Sequence, residues 1–231
     1  MAEGKAPFWL RLDRVYREKG LGGVWFAALS RTGYRRLVVF ERRLDEPMIQ
    51  VLPRVEAEIR PLRSDDEAAF EGLGQEGAAV FRRRLEVGHQ GWGAWSGGGL
   101  RHTRWCALRA THVEYLRCRL VLEDDVAYLY RSFTQPQYRS LGLAPATGAA
   151  CLQFLRGRGF KTVLAAVLPE NSAAIAPALK LGYRRVGVVR SIGGGRRPLV
   201  AVALDRGADR AHGWAFLRSS GDGPGDAAGP A

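Results

Sequence analysis

The chain has 231 residues, 46% hydrophobic and 25% charged, which allows one large domain or one ordinary domain with an extension. No run approaches the ~18–20 unbroken apolar residues that cross a bilayer, and the opening MAEGKAPFWLRLDR lacks an apolar signal core of ~7–15 residues, so a membrane-spanning or ordinary secreted protein is set aside and a cytoplasmic one expected. The three cysteines, Cys106, Cys118 and Cys151, are too few and scattered for a disulfide framework, and a net charge of +12, from 35 basic residues (31 Arg, 4 Lys) against 23 acidic ones, points to an anionic partner.

That excess is spread along the chain rather than gathered on one helix. Its densest runs are Arg82, Arg83 and Arg84 and the stretch 101–119. Nucleic-acid binders cluster charge and interleave it with aromatic residues, so nucleic acid is disfavoured against a ligand that carries phosphate.

Residues 1–54 hold their apolar side chains in short pieces: Phe8, Trp9, Leu10 and Leu12, then Val24, Trp25, Phe26 and Leu29, then Leu37, Val38, Val39 and Phe40. They are expected to form a small, basic, helical or mixed extension packed on or beside the main domain. The mixture of basic and aromatic residues leaves peripheral contact with an acidic membrane surface as the other reading. Pro47, Pro53 and Pro61 punctuate the passage into the main domain, residues 55–204.

Residues 55–62 (VEAEIRPL) alternate as a strand does, and Ser64 followed by Asp65, Asp66 and Glu67 supplies a helix start with negative charge in its first turn. A second helix is predicted over 75–87. Gly91, Gly93, Gly97, Gly98 and Gly99 then frame a short strand and a turn, and residues 104–115 and 126–134 are the next extended segments, with Glu123, Asp124 and Asp125 between them.

A helix is predicted over 145–157, with Pro145 at an early position, apolar Ala149, Leu152, Phe154 and Leu155, and Gly157 at its end. TVLAAVL (162–168) is a continuous apolar run, as expected of a central strand covered on both faces. Asn171 and Ser172 cap another helix, stopped by Gly182, and residues 183–192 and 199–204 close as a strand pair around Gly193, Gly194 and Gly195. Residues 205–231 form a tail, expected to be disordered from about 219 (SSGDGPGDAAGPA).

The stretch 128–144, YLYRSFTQPQYRSLGLA, carries the chemistry. A loop at a helix start presents N–H groups with no partner inside the helix, and the aligned peptide dipoles add partial positive charge. Small residues at Ser140, Gly142 and Ala144 let a phosphate approach the backbone, and Arg139 adds charge-assisted hydrogen bonds, so a diphosphate is the expected ligand.

Arg139-x-x-Gly142-x-Ala144 after a strand resembles the Gln/Arg-x-x-Gly-x-Gly/Ala signature of the GNAT superfamily of acyl-CoA-dependent N-acyltransferases. PENSAAIAPALKLGYRRVG (169–187) resembles that superfamily's later strand, Asn, helix, Gly and aromatic passage, with Asn171, Gly182 and Tyr183 at the matching places. The resemblance covers about residues 56–204 and is strongest over 126–190. It implies a mixed α/β fold with a mainly antiparallel central sheet, helices on both faces, and a V-shaped splay between the strands that begin near Val126 and Thr162.

It also implies site residues. Backbone amides of Arg139, Ser140, Leu141, Gly142, Leu143 and Ala144 would bind the coenzyme A pyrophosphate. Phe133 and Thr134 would align the pantetheine arm and polarise the thioester carbonyl. Asn171 would meet the cofactor from the other side. Two departures stand out: Ser140 and Leu141 replace the usual Gly and a cation, and Ala178 stands where the family often has a tyrosine that protonates the leaving thiolate. Pro177 is expected to disturb the helix around it.

Aminolysis of a thioester needs a free amine, so a carboxylate, imidazole, tyrosinate or ordered water must take a proton. The candidate bases are Glu114, on one central strand, and Tyr128 or Tyr130 on the next, with Tyr130 and Glu114 ranked first; the plain alternative is tyrosines packing a sheet face and a glutamate in solvent. Trp92, Trp95 and Trp105 line an acceptor pocket or pack the core. Cys106, His112, Cys118 and His102 lack zinc-site spacing, and no metal is expected. The expected activity is transfer of an acyl group, most simply acetyl, from acetyl-CoA to a primary amine by direct attack in a ternary complex, the acceptor being a small-molecule amine or a protein amino group. A non-catalytic acyl-CoA-binding regulatory module and a basic peripheral protein are the alternatives.

Overall fold

Apolar runs that need cover on both sides end up in the middle of a sheet. The computed structural model describes residues 33–193, 198–206, 213–218 and 227–228. Its main sheet has eight strands: β1 (Arg35–Arg43), β2 (Glu58–Pro61), β3 (Gln90–Ser96), β4 (Gly99–Ala107), β7 (Val126–Thr134), β8 (Thr162–Val167), β9 (Arg184–Ile192) and β10 (Leu199–Leu204), in the order β10-β9-β1-β8-β7-β4-β3-β2. Every ladder in it is antiparallel except β7 with β8. A smaller sheet holds β5 (Thr111–Val113), β6 (Cys118–Leu122), β11 (Trp214–Arg218) and β12 (Ala227–Ala228), in the order β11-β6-β5-β12.

The helices are α1 (Glu67–Glu71), α2 (Ala78–Glu86), α3 (Leu143–Gly157) and α4 (Ser172–Lys180). They divide between the two faces of the main sheet. On one face Phe70 of α1 and Phe81 of α2 pack with Trp105, Tyr128, Leu164 and Val189, and the small sheet adds Leu120 and Phe216. On the other, Leu152 and Leu155 of α3 pack on Phe40, Trp92, Leu129 and Val163. This mixed α/β arrangement, mainly antiparallel with helices on both faces, is the fold class that the sequence led us to expect.

TVLAAVL is the central β8, flanked by β1 and β7. Residues 33–54 differ from expectation. Part of the segment assigned to an N-terminal extension is β1, inserted between β8 and β9, where Val38 faces Val167 on one side and Val188 on the other. The physical reason is the run Leu37, Val38, Val39 and Phe40, which buries side chains on both faces. The earlier aromatic pieces, with the membrane contact assigned to them, lie among residues 1–32, outside the described residues.

The segment 104–115 is not one strand, because β4 ends at Ala107 and β5 belongs to the small sheet. In the tail, β11 pairs with β6, and Ala227 and Ala228 pair in parallel with His112 and Val113. Pro177 sits inside α4, which nevertheless runs on to Lys180. The tryptophans serve the core rather than a pocket: Trp105 is 1% exposed and meets Phe70 and Phe81 edge-on, Trp92 packs edge-on against Phe154, and Trp95 lies under the Arg60 guanidinium at 3.8 Å. No described helix is long and apolar enough to cross a membrane.

Candidate functional site

The two parallel strands part company halfway along. β7 and β8 pair from Val126 with Thr162 to Leu129 with Ala165, and there the ladder ends, although β7 continues to Thr134 and β8 to Val167. The cause lies on the other edge of β7. Between Trp105–Tyr130 and Thr103–Phe133 a single β4 residue, Arg104, opposes two β7 residues, Arg131 and Ser132. Arg131 has φ 48°, so this is a bulge, which bends its strand. The β8-facing backbone groups beyond Leu129 are left without a strand to pair with, and Ser132 is exposed although β7 is an interior strand.

Left-handed backbone at an arginine costs about 1–2 kcal/mol, and something must hold it. Glu76 does so. One of its oxygens lies 3.1 Å from Arg131 Nη2, and the pair accepts two hydrogen bonds from Arg84, at 2.6 and 2.8 Å.

β7 runs into the loop that precedes α3. After a short 3-10 turn at Pro136–Tyr138, Ser140 takes φ 62° and Gly142 takes φ 81° as the N-cap of α3. Two left-handed residues so close together curl the main chain, and α3 starts with amides that have no intrahelical partner. A strap made of Leu52, Pro53 and Arg54 supports this curl: the Arg54 amide donates to the Leu141 carbonyl at 2.8 Å, and a Cβ at position 142 would stand 3.3 Å from Pro53 Cα. The strap also brings a further arginine, Arg54, against the backbone of Leu141 and Gly142. Sequence reading did not single it out.

The remaining residues expected at the site are scattered. Phe133 and Thr134 lie beyond the bulge, Phe133 against the α1/α2 core, while the Thr134 hydroxyl is 2.7 Å from His102 Nδ1. The Asn171 side chain caps α4, accepting from the Ala174 amide at 3.2 Å. Tyr130 is buried, stacks on Tyr128, and shares a short hydrogen bond with His89 Nδ1. Burial drives its phenol pKa far up, and the hydroxyl is engaged with His89 rather than directed to an open site. Tyr128 is likewise buried, with its pKa raised by desolvation. Glu114 is not on a central strand; it falls in the turn between β5 and β6, where its carbonyl accepts from the Arg117 amide.

That turn carries Tyr115 toward the parted end of the sheet. Tyr115 lies among Glu170, Arg35 and Arg36 and is hydrogen-bonded by the Arg36 amide, with its pKa raised mainly by burial. Glu170, three residues past β8, pairs with Arg36 at 3.5 Å.

On the α3 face the slot holds a residue that sequence reading passed over. The Arg104 side chain reaches past the bulge, where Nη2 donates to Ser132 Oγ at 3.3 Å. Its guanidinium lies beneath Gly148 of α3, whose missing Cβ would stand 2.9 Å from Nη1 and 2.8 Å from Leu181 Cδ1. Among the described residues no carboxylate pairs with it, and its Nε is shielded from solvent without a hydrogen-bond partner. The Tyr183 hydroxyl, in a residue 3% exposed, is unpartnered as well; burial pushes its pKa far up, against the opposing charge of Arg104.

His102 is fully buried beside this arginine, and desolvation first, then the Arg104 charge, holds its pKa well below 6.5. The native state therefore refuses a proton that the unfolded chain binds below 6.5. The sign follows: this contribution is full above that pH and is lost as the pH falls below it, at up to ~1.4 kcal/mol per unit. Urea unfolding at pH 7.5, 6.5 and 5.5 should show the decline, and His102→Asn should flatten it. An unchanged slope in that variant would remove His102 as the source.

Residues 85–183 match the family model described as Acetyltransferase (GNAT) family. No curated protein matches the chain in sequence. Among solved structures, a GCN5-related N-acetyltransferase from Sphaerobacter thermophilus aligns with TM-score 0.51 and 15% identity over 71% of this chain and 54% of that one. The GCN5-related glucosamine N-acetyltransferase region of a fungal multi-domain GH3 β-N-acetylglucosaminidase aligns with TM-score 0.51 and 12% identity over 72% of this chain and 22% of that one. A putative GNAT acetyltransferase from Novosphingobium aromaticivorans DSM 12444 gives 0.48 and 16%, over 73% and 66%. The chain thus spans less than two thirds of each of these structures, and for the first two the likeness is one of fold.

Proposed function

We propose, from the premise that residues 85–183 form a domain of the GNAT acetyltransferase family, that the chain transfers an acyl group from an acyl-coenzyme A to a primary amine by direct attack in a ternary complex. One observation carries the reading: a helix start with unpaired amides at Gly142 opens into a gap between parallel strands, along which one backbone edge is free. A diphosphate fits the first feature and an amide-bearing arm the second. Bound there, coenzyme A presents an acyl carbon attached to a sulfur that leaves readily as thiolate, so the absence of a tyrosine at Ala178 is tolerable.

The loop from Arg139 to Ala144 would hold the pyrophosphate, with Arg139 and Arg54 adding charge. Amides of Phe133 and Thr134 would orient the pantetheine arm and polarise the thioester oxygen. The acceptor would arrive from the face opposite α3. We assign its proton to Glu170, directly or through water, because this carboxylate follows β8 at the parted end and lies against Tyr115 and Arg36. Both small amines and protein amino groups suit so open an end.

Thiol release from acetyl-CoA, with and without a panel of amino sugars, polyamines and peptides with free N-termini, tests the reading. Release that depends on an amine is expected. Calorimetric binding of coenzyme A with a blank across the whole panel would favour a binding module, and no binding at all would overturn both.

A further inference from the structure

We propose that the acyl group this chain selects ends in a carboxylate, and that Arg104 with Ser132 and Tyr183 receives it. The inference rests on the acyl-transfer reading and specifies its donor substrate. A guanidinium sits where β7 and β8 have separated, held between Ser132 on the bulge and Gly148 in the second turn of α3. Its Nη2 and the Ser132 hydroxyl are reachable from solvent, yet its Nε is shielded and without a hydrogen-bond partner, and no described carboxylate faces it. The buried Tyr183 hydroxyl adds a second unused donor on the same side of the sheet. Donors removed from water and left unpaired are costly, and an acetyl methyl would leave them so. A carboxylate accepts from a guanidinium in a paired, charge-assisted geometry and from a hydroxyl as well.

Glycine at 148 fits this account. A Cβ there would stand 2.9 Å from Arg104 Nη1 and 2.8 Å from Leu181 Cδ1, so the guanidinium or the leucine would have to shift. In the transfer the amine nitrogen forms the C–N bond to the acyl carbon while the C–S bond breaks; sulfur keeps the electron pair and takes up a proton, nitrogen loses one, and the distal carboxylate is carried unchanged into the amide.

Calorimetry on the full chain, with no acceptor present, separates this inference from the reading beneath it. The ligands are coenzyme A, acetyl-CoA, butyryl-CoA and succinyl-CoA, the last two of equal acyl carbon count. Succinyl-CoA should bind at least about tenfold more tightly than butyryl-CoA. Arg104→Met should bring the two together, Arg104→Lys should keep part of the gap, and thermal unfolding checks that each variant is folded. Should Arg104→Met not fold, Ser132→Ala and the wild-type series carry the test, with a narrowed gap expected in the former. Equal affinities for succinyl-CoA and butyryl-CoA, or an equal loss for all four ligands in Arg104→Met, would overturn the carboxylate assignment and leave acyl transfer standing. No binding of any of the four would overturn both.

Discussion

Glu76→Ala is expected to destabilise the protein by about 3–5 kcal/mol, because it strands a buried charge. Arg84 is 3% exposed, lies against the rings of Trp105 and Tyr130, and gives both of its terminal nitrogens to Glu76. Without that carboxylate the guanidinium keeps its desolvation cost and loses its compensation. The same change removes the Glu76 contact of Arg131, whose left-handed backbone forms the bulge. Thermal unfolding should therefore fall by on the order of 10 °C for a chain of this size, and amide exchange at Arg131, Ser132 and Phe133 should quicken more than elsewhere in β7. Glu76→Gln preserves shape and one acceptor, so it should lose less. A loss under about 1 kcal/mol in the alanine variant would show that Arg84 is not held as described.

The bulge illustrates what the sequence could and could not say. The helix start near 142–145 was readable from Gly142 and Pro145, and β8 was readable because both of its faces are covered. β1 was harder: LVVF has the same doubly buried character, but nothing local tells which strands it joins, since its partners lie about 120–155 residues away in sequence. Arg131 carries no mark at all, because a left-handed bend at a non-glycine residue is imposed by Glu76 and β4 rather than by its own preference. Glu114 was misplaced when the strand was carried past Ala107 into the small sheet. Arg104 escaped notice because its neighbours come from β7, α3 and the end of α4, and only the folded chain shows that no carboxylate meets it.

Coenzyme A binding should fall by more than about 100-fold in Gly142→Trp, and amine-dependent thiol release should vanish with it. Position 142 has φ 81°, which costs a residue with a side chain about 1–2 kcal/mol. A Cβ there would also meet Pro53 Cα at 3.3 Å and the Leu52 carbonyl at 3.5 Å, backbone atoms that cannot turn aside as a flexible side chain does. The strap or the loop must shift, and the Arg54–Leu141 hydrogen bond and the first amides of α3 shift with it. Gly142→Ala should show the same effect in smaller measure, about tenfold in binding. Gly157→Ala, at the other end of the same helix, meets nothing within 4 Å and should leave binding intact while stabilising the chain by a few tenths of a kcal/mol. If the tryptophan variant folds and binds coenzyme A as the wild type does, the diphosphate does not sit on this turn, and the acyl-transfer reading loses the observation that supports it.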